Sequence, residues 1–280
     1  MTAGEWRPVP LRLETDLQHG GRWTSLRTAG REWLWTNPDP GSSQARDAAG
    51  PDADFVDAGG VEECLPTVRG RPDHGAAWTR PWTGAAENAW VELPGVGVLN
   101  RRISQGDADV RVDYRLTARP RTLFLHAVHA LLDVSPAGRL SVPHPQTMII
   151  LDVDDTYRPW PDGLDRLGPD DGSAICALLP DCRQAVVTDC DHALRMQWDA
   201  PGRSELCSLL LWRNLGGWPA DRPYTSIGIE PMIGRAADLS TADSGECVRV
   251  DDTGRVDWTL SLTALVRLTT SSDASDTKGS

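Results

Sequence analysis

The sequence predicts a single large all-β domain, and its hydrophobic period and turn residues are the two observations behind that prediction. Segments such as residues 109–118 (DVRVDYRLTA) and 256–268 (VDWTLSLTALVRL) alternate apolar and polar residues, as half-buried strands do. The chain contains 26 Gly and 21 Pro, and many of them fall between these runs as turns. Its 280 residues, 40% of them hydrophobic, are enough to bury a sizeable core.

Alternating runs recur along the whole chain, with turn sequences between them. They occupy residues 10–15, 22–28, 109–118, 193–198 and 256–268. No convincing amphipathic helix longer than two turns interrupts them, and no repeat of fixed period is visible. Because no change in composition marks a second domain, we expect one domain over residues 1–270 and a disordered polar tail at residues 271–280.

Two stretches rich in Pro, Gly and Asp are predicted to be surface loops rather than strands. They span residues 37–54 (NPDPGSSQARDAAGPDAD) and 157–173 (YRPWPDGLDRLGPDDGS). Loops of this length are uncommon in compact domains and are often functional, so we expect them to cover a site.

The charge balance argues against two classes of partner. Lys and Arg total 28 against 40 Asp and Glu, a net charge of −12, and no basic cluster offsets it. Binding to nucleic acid or to an anionic membrane surface is therefore not expected. The longest apolar stretches are too short for a membrane span. Since no signal peptide is visible at the start, we expect a cytoplasmic protein.

The six cysteines do not form a recognisable metal or redox motif. None of them forms a C-x-x-C pair, and no spacing matches a zinc site. An even count would also permit disulfides, but without an export signal we expect buried, reduced cysteines that act as small apolar residues. The sequence predicts no metal site.

Aromatic usage is lopsided, with 12 Trp against 2 Phe and 3 Tyr. One interpretation is that Trp simply fills the core. The other is a sugar site, because an indole face packs against the C–H face of a pyranose while its N–H remains available as a donor. The second interpretation is favoured for four residues beside polar, turn-rich segments, namely Trp78, Trp82, Trp212 and Trp218.

The segment at residues 59–82 (GGVEECLPTVRGRPDHGAAWTRPW) concentrates charged side chains among Gly, Pro and Trp. These residues are Glu62, Glu63, Arg69, Arg71, Asp73, His74 and Arg80. Such a density of donors indicates recognition of a hydroxyl-rich or anionic ligand; the alternative is a solvated loop with internal salt bridges. The arginines could hold a phosphate or carboxylate of a ligand, or they could balance the nearby carboxylates.

Histidine and glutamate occur in two apolar strands where packing alone would not require them. His126 and His129 are three residues apart, so they lie on opposite faces of a strand and at most one reaches a given site. Glu230 follows an apolar strand and directly precedes a proline, where a carboxylate is costly to bury unless it is paired. An imidazole can deliver a proton near neutrality and a partly desolvated carboxylate can accept one.

This combination of one acid and several histidines suits the opening and closing of a sugar hemiacetal. Cleavage of a glycosidic bond usually requires two opposed carboxyl groups instead.

Several blocks, taken in order, resemble the aldose 1-epimerase (galactose mutarotase-like) superfamily. They are GGRWTSLRTAGREWLW at residues 20–35, GGVEECLPTV, RPDHGAAWTRPW, HALLDVS, LLLWRNLGGWP and GIEPMIG, spread over roughly residues 10–268. The resemblance implies a β-supersandwich of many antiparallel strands whose concave face holds the sugar. It also implies that the α and β anomers are interconverted without a cofactor.

The resemblance assigns roles to residues of this chain. Glu230 matches the general base that takes the proton from the anomeric hydroxyl, and His129 matches the general acid that protonates the ring oxygen. His74 in PDHG matches a second histidine that hydrogen-bonds the sugar and the developing charge, and Arg71 matches a substrate-binding arginine. With these roles, we expect Glu230 and His129 to reach opposite sides of one hollow the size of a pyranose. Further candidates for substrate binding are Trp78, Arg80, Trp212 and Asn214.

The chain also departs from the family pattern. The family has an aspartate between the second histidine and the glutamate that grips sugar hydroxyls, and four residues could fill that role here, namely Asp162, Asp165, Asp170 and Asp171. The surroundings of HALLDVS lack the usual asparagine and aromatic residues.

The leading hypothesis is therefore an aldose 1-epimerase-like enzyme that acts on a free or acid-substituted sugar. One alternative is a non-catalytic carbohydrate-binding protein of the same fold, which would need the Trp residues and Arg71 but neither Glu230 nor His129. Another is a tailoring isomerase or cyclase for a non-sugar metabolite. Open edge strands would permit a homodimer, although nothing in the sequence requires one.

Overall fold

Antiparallel strands make up most of the computed structural model, which describes residues 5–143, 147–152 and 155–268. The predicted tail at residues 271–280 lies outside the described residues. In chain order the strands are β1 (Trp6–Val9), β2 (Arg12–Asp16), β3 (Arg22–Thr28), β4 (Arg31–Glu32), β5 (Val61–Cys64), β6 (Thr83–Ala85), β7 (Asn88–Leu93), β8 (Gly97–Gln105), β9 (Asp109–Ala118), β10 (Leu123–Phe124), β11 (His126–Leu132), β12 (Arg139–Ser141), β13 (Thr147–Ile150), β14 (Thr156–Pro159), β15 (Ala174–Pro180), β16 (Gln184–Asp189), β17 (His192–Asp199), β18 (Cys207–Trp218), β19 (Tyr224–Ile233), β20 (Val248–Arg249) and β21 (Arg255–Arg267). Among the described residues, one α-helix, α1 (Pro40–Asp47), and a 3₁₀ turn at Ser204–Leu206 accompany them.

The strands form two large sheets that share one core. The first, here called the back sheet, has the order β12-β16-β17-β21-β9-β8-β7-β6, with β1 paired to β21. The second, here called the site sheet, has the order β14-β13-β15-β18-β19-β11-β5-β3-β2, with β4 paired to β3. Strands β10 and β20 form a separate short pair. This architecture confirms the predicted all-β, mutarotase-like supersandwich.

Alternation along the strands of the back sheet builds the core. In β9, every second residue is buried and the residues between them are exposed or half-buried. The buried residues are Val110, Val112, Tyr114 and Leu116. Strand β21 repeats the pattern over 13 residues, with Trp258 among its buried side chains. Every second residue of these strands packs toward the site sheet, because successive side chains point to opposite faces. The alternating runs predicted at residues 109–118 and 256–268 are therefore confirmed.

The region between the sheets also holds a buried polar network. His126 Nε2 lies 3.0 Å from Glu63 Oε2, Arg101 donates to Glu63 Oε1 at 2.8 Å, and the Tyr114 hydroxyl donates to the same oxygen at 3.0 Å. Trp258 Nε1 donates to His126 Nδ1 at 3.2 Å, which leaves the ring proton on Nε2. The charge of Glu63 is thus fully engaged inside the core.

The stretch at residues 37–54 is not the loop that the sequence predicted, because it contains the helix α1. Asp39 caps the helix by accepting a hydrogen bond from the Gly41 amide at 3.0 Å, and Pro40 occupies the first turn. A capping aspartate before a proline is a helix-start signal, and the turn-forming residues around it obscured that signal. Residues 157–173 begin within β14; from residue 160 to residue 173 they form turns, bends and one isolated bridge.

The helix α1 anchors a buried ion pair. Arg46, in its last turn, donates to both carboxylate oxygens of Glu62 on β5, at 2.6 and 2.7 Å. Both side chains are buried, and Arg22 lies 3.6 Å from the same carboxylate. Burial raises the pKa of Glu62, and the Arg46 guanidinium opposes that shift. Arg46 therefore ties the helix to the centre of the site sheet.

The cysteines are unpaired, and four of the six are buried as expected. Cys190 differs, because it lies exposed in the tight turn between β16 and β17. No helix within the described ranges has the length and apolar character that a membrane span requires.

Replacing Arg46 by Met is expected to destabilise the protein by about 3–5 kcal/mol, because it leaves the buried Glu62 carboxylate without its main partner. The measurement is the free energy of unfolding from urea denaturation. The matched control is Arg27→Met, which breaks the Arg27–Glu14 pair, whose side chains are 57% and 56% exposed. That control should cost less than about 1 kcal/mol. Equal losses in the two variants would contradict the assignment.

Candidate active site

A row of residues at one level of the site sheet forms the floor of the candidate site. Glu62 on β5 is the cross-strand partner of His129 on β11. Strands β11 and β19 are in register on either side of His129, so His129 faces Glu230. On the next strand, Leu210 of β18 is the partner of Glu230. Residues directly opposite one another across a sheet share a face, so the sheet itself brings this histidine and these carboxylates together.

The floor opens into a pocket of about 170 Å³ on the face of the site sheet turned away from the back sheet. Its walls combine three aromatic rings, two carboxylates, two imidazoles and one guanidinium with a few apolar groups. The lining residues are Phe55, Asp57, Val68, Arg69, His74, His129, Cys176, Leu210, Trp212, Trp218 and Glu230.

A larger groove, of about 630 Å³, lies over the back sheet, but it lacks reactive groups. Its charged residues largely balance one another, as Arg115 and Asp257 do at 2.7 Å. Its lining contains no histidine, cysteine or glutamate. The smaller pocket is therefore the better candidate for a site of chemistry.

His129 and Glu230 form a buried ion pair on the pocket floor. Nδ1 of His129 lies 3.0 Å from Oε1 of Glu230, a distance typical of an ion pair, although the angles fall outside those of a hydrogen bond. Oε2 of Glu230 is buried and accepts no hydrogen bond from any described residue. Burial disfavours the charged imidazole, but the carboxylates of Glu230, Asp57 and Glu62 outweigh it and raise the pKa of His129. His129 is thus suited to hold a proton beside the carboxylate of Glu230.

His74 lies beside this pair, and its pKa is shifted in the opposite direction from that of His129. Its Nδ1 lies 2.9 Å from Oδ1 of Asp73, and its ring stacks on Phe55 at 3.7 Å between centroids. The ring meets His129 edge to face at 5.1 Å. Burial is the main cause that lowers the pKa of His74, assisted by the nearby charge of His129 and opposed by Asp73. Two histidines with pKa values shifted apart are typical of sites that separate acid and base roles.

The backbone supports this placement of His74. Its φ is 56°, in the left-handed region that few residues other than glycine adopt. The Phe55 amide donates to Oδ2 of Asp73 at 2.8 Å, which fixes the Asp73 carboxylate against the imidazole. Strained backbone of this kind concentrates at functional sites.

Asp57 is a second carboxylate of the pocket that the sequence analysis missed. Its Oδ2 accepts a hydrogen bond from the Tyr224 hydroxyl at 2.7 Å, whereas Oδ1 is buried and meets no hydrogen-bond donor among the residues described. Burial raises the pKa of Asp57, while the charge on His129 and the Tyr224 hydrogen bond act against that shift. The Tyr224 ring stacks on Trp35 at 5.6 Å.

The aromatic wall of the pocket comes from the middle and the end of β18, where Trp212 and Trp218 lie. Trp212 and Trp218 meet edge to face at 6.0 Å, and Trp218 meets the ring of Tyr224 in the same way at 5.8 Å. Trp218 is 46% exposed, so it stands at the rim, whereas the Trp212 indole is tied to Ser226 Oγ at 3.0 Å.

Four of the predicted site residues line this pocket together, namely Glu230, His129, His74 and Trp212. Glu230 and His129 lie side by side on the floor, not on opposite sides of a hollow as expected, because adjacent strands carry them at the same level. His126 lies on the other face of β11, as the offset of three predicted.

The other four predicted residues lie outside the pocket lining. Arg71 is 75% exposed and pairs with Asp54 on the surface at 2.8 Å. Trp78 is buried and donates to the Asp73 carbonyl, so it supports His74 from behind. Arg80 lies half-buried in the turn that follows.

Asn214, the fourth of these residues, stabilises the backbone at the end of β18. Its side chain accepts hydrogen bonds from the amides of Gly217 and Trp218 and donates to the Trp218 carbonyl, which closes the bulged end of the strand. Of the three arginines considered for a ligand's acidic group, Arg69 alone lines the pocket. Its guanidinium reaches the Leu151 carbonyl at 3.4 Å.

The four aspartates proposed to grip sugar hydroxyls also lie outside the pocket lining. Asp162 and Asp171 pair with Arg158 and Arg213, Asp170 accepts a hydrogen bond from Thr225, and the Asp165 carbonyl accepts one from the Leu140 amide.

The sequence analysis did not identify five of the lining residues, namely Phe55, Asp57, Val68, Cys176 and Leu210. Phe55 is one of only two phenylalanines in the chain, and it stands in an acidic, loop-like run (DADFVDAGG) directly before the GGVEEC block. An isolated aromatic residue in such a run is the sequence feature that could have identified Phe55 as a site residue.

Burial raises the pKa of the Cys176 thiol to about 12, so this group stays protonated. Within the described ranges, no group of three or more His, Cys, Asp or Glu side chains could hold a metal ion.

Glu230→Gln is expected to lower the pKa of His129, because it removes the negative charge that favours the imidazolium. NMR titration of the imidazole resonances measures this shift. In the wild type, His129 should titrate above the ordinary histidine range and His74 below it. An unchanged or higher pKa for His129 in the variant would contradict the ion pair.

Sequence comparison finds no matching protein-family model and no matching curated protein. Comparison of structures finds close matches in fold. A protein of Escherichia coli K12, provisionally named an aldose 1-epimerase, superposes with a TM-score of 0.67 at 13% identity, covering 93% of this chain and 99% of that one. The Slr1438 protein from Synechocystis sp. PCC 6803 gives 0.67 at 16% identity, covering 95% and 99%. The galactose mutarotase related enzyme from Lactobacillus acidophilus gives 0.63 at 12% identity, covering 94% and 100%. The chain therefore has the galactose mutarotase-like fold, as the ordered sequence blocks indicated.

Proposed function

We propose that the protein is an aldose 1-epimerase-like isomerase that interconverts the α and β anomers of a sugar. The observation that carries this proposal is the buried His129–Glu230 pair, 3.0 Å apart at the floor of a pocket with aromatic walls. One partner has a raised pKa and the other keeps a buried oxygen, Oε2, without a donor from the described residues. General acid–base catalysis needs such a pair of groups within reach of one substrate.

In the proposed mechanism, Glu230 takes the proton from the anomeric hydroxyl while His129 gives a proton to the ring oxygen. The bond between C1 and the ring oxygen breaks, and an open-chain aldehyde forms. Rotation about C1–C2 followed by closure with the roles reversed yields the other anomer. The anomeric oxygen and the ring oxygen are both bonded to C1, so neighbouring positions of the acid and the base suit this reaction.

His129 would deliver its proton through Nε2, because Nδ1 faces Glu230. For His74, the Asp73 carboxylate at Nδ1 favours the tautomer with the proton on that nitrogen. Nε2 of a neutral His74 then accepts a hydrogen bond from a sugar hydroxyl. This role replaces the stabilisation of developing charge that the family resemblance implied.

The aromatic wall supports a sugar as the ligand. Trp212 and Trp218 present indole surface near the reacting pair, and such surface packs on the C–H face of a pyranose. An acidic substituent on the sugar would have Arg69 as its partner, since Arg69 is the arginine in the pocket lining.

We further infer a cytoplasmic location, because all six cysteines are unpaired and structural disulfides are rare in reducing compartments.

A second candidate function is carbohydrate binding without catalysis, which the same aromatic wall would support. The two functions differ in whether they require the residues on the pocket floor. Binding depends on the Trp residues, whereas anomer exchange also depends on Glu230 and His129.

Glu230→Gln is expected to lower the rate of anomer exchange by about 10²–10⁴, because it removes the base that accepts the anomeric proton. NMR saturation transfer between the α and β anomeric protons, on a panel of aldoses and aldose phosphates, measures the exchange directly.

The matched control is Glu14→Gln, which changes an exposed carboxylate on β2, and its rate should equal that of the wild type. A folded Glu230→Gln variant with a near-wild-type rate would overturn the mechanism. Binding of a sugar without exchange in the wild type would establish the binding protein instead.

A further inference from the structure

We propose that Asp57 is a second substrate-binding carboxylate, which accepts a hydrogen bond through Oδ1 from a sugar hydroxyl other than the anomeric one. This inference rests on the proposed function and extends it, because it makes the enzyme selective for aldoses that carry this hydroxyl. It also gives the role expected of four later aspartates to a residue that precedes both histidines in the chain.

The first argument is the unsatisfied oxygen. Asp57 lines the pocket, and its Oδ1 is buried without a hydrogen-bond donor among the described residues. Buried polar atoms are nearly always hydrogen-bonded, and a buried carboxylate oxygen without a partner is costly. A donor supplied by a ligand in the pocket would remove this cost.

The second argument is that Asp57 is positioned from behind. The Tyr224 hydroxyl donates to Oδ2 at 2.7 Å. The Tyr224 ring is fixed between Trp35 and the rim residue Trp218. One oxygen is thus held by the protein while the other remains available, an arrangement suited to binding a ligand in one orientation. Tyr224 acts as a positioning residue for Asp57.

The third argument concerns the charge of the donor. Burial raises the pKa of Asp57, and the positive charge of His129 in the same pocket acts against that shift. Arg69 adds a further positive group to the lining. With positive charge already present, the missing partner of Oδ1 need only be a neutral donor, and a sugar hydroxyl is the donor that the proposed substrate carries.

The test compares Asp57→Asn with Asp54→Asn on a parent aldose and its monodeoxy analogues. Asp54 is a matched control, because it is 81% exposed and pairs with Arg71 outside the pocket. The parent is the aldose that the wild type exchanges fastest in a panel including D-glucose and D-galactose. Asp57→Asn should lower kcat/KM for the parent by roughly 10- to 100-fold, the range for a hydrogen bond to a charged group. Asp54→Asn should leave it unchanged.

The deoxy analogues identify the hydroxyl. One analogue should already be a poor substrate of the wild type, and Asp57→Asn should cause no further loss with it, because the partner hydroxyl is absent. An equal loss on every analogue, or no loss on the parent, would overturn the inference. A 2-amino-2-deoxy aldose belongs in the panel. If the wild type prefers it and Asp57→Asn abolishes the preference, the occupant is an ammonium group and the hydroxyl assignment is wrong.

Tyr224→Phe tests the positioning role. It should reduce kcat/KM for the parent in the same direction as Asp57→Asn, and the two changes together should cost no more than Asp57→Asn alone. A purely structural effect of Tyr224 would instead add to the loss in the double variant.

Binding measurements separate failure of this inference from failure of the proposed function. Sugar titrations followed by tryptophan fluorescence, with Trp212 and Trp218 in the pocket as reporters, need no catalysis. Weaker binding by Asp57→Asn alone supports the inference even if the wild type shows no exchange. Exchange by the wild type with an unchanged Asp57→Asn variant overturns the inference only. If no sugar binds or exchanges, both are overturned.

Discussion

The buried pair of His129 and Glu230, with Nδ1 3.0 Å from Oε1, is the constraint on which the rest of the structure depends. Removing ions from water costs several kcal/mol each, so such a pair survives only where its surroundings are rigid. The sheet provides that rigidity, because the register of β11 and β19 places the two residues opposite each other. The central strands β5, β11, β18 and β19 are accordingly buried along most of their length.

The His129–Glu230 pair is the end of a row of acidic and basic side chains that alternate from α1 to β19. Arg46, Glu62, His129 and Glu230 follow one another from α1 across three strands. Each carboxylate thus has a cation beside it, and the imidazolium lies between two carboxylates. The short helix therefore contributes to the electrostatics of the pocket, although none of its residues lines it. Glu63, the neighbour of Glu62 in sequence, points to the other face of the sheet and accepts a hydrogen bond from Arg101 in the core between the sheets.

The strands could be predicted from the sequence because they follow from local regularities, whereas the choice of His129 and Glu230 as a pair came from the resemblance to the aldose 1-epimerase superfamily. Period-two alternation identifies strands and assigns each residue to a face, which is why His129 could be separated from His126. A glutamate and a histidine inside apolar strands are conspicuous because packing does not explain them. These signals depend only on neighbours within a few residues.

The walls of the pocket could not be predicted in the same way. Asp57 and Phe55 lie in a segment without helix or strand, where no period indicates the direction of a side chain. Arg69 and Arg71 are two residues apart in one loop, yet only tertiary structure decides that the first reaches the pocket and the second the surface. The partner of Oδ2 of Asp57 lies 167 residues away, in β19.

The site thus divides into parts of different evolutionary freedom. His129 and Glu230 stand in the interior of two strands, where an inserted or deleted residue would turn every later side chain to the wrong face. Phe55, Asp57 and His74 stand on connecting segments, and such segments tolerate changes in length and sequence. Homologous chains could therefore acquire new pocket walls by remodelling these segments while they keep the paired histidine and glutamate of the floor.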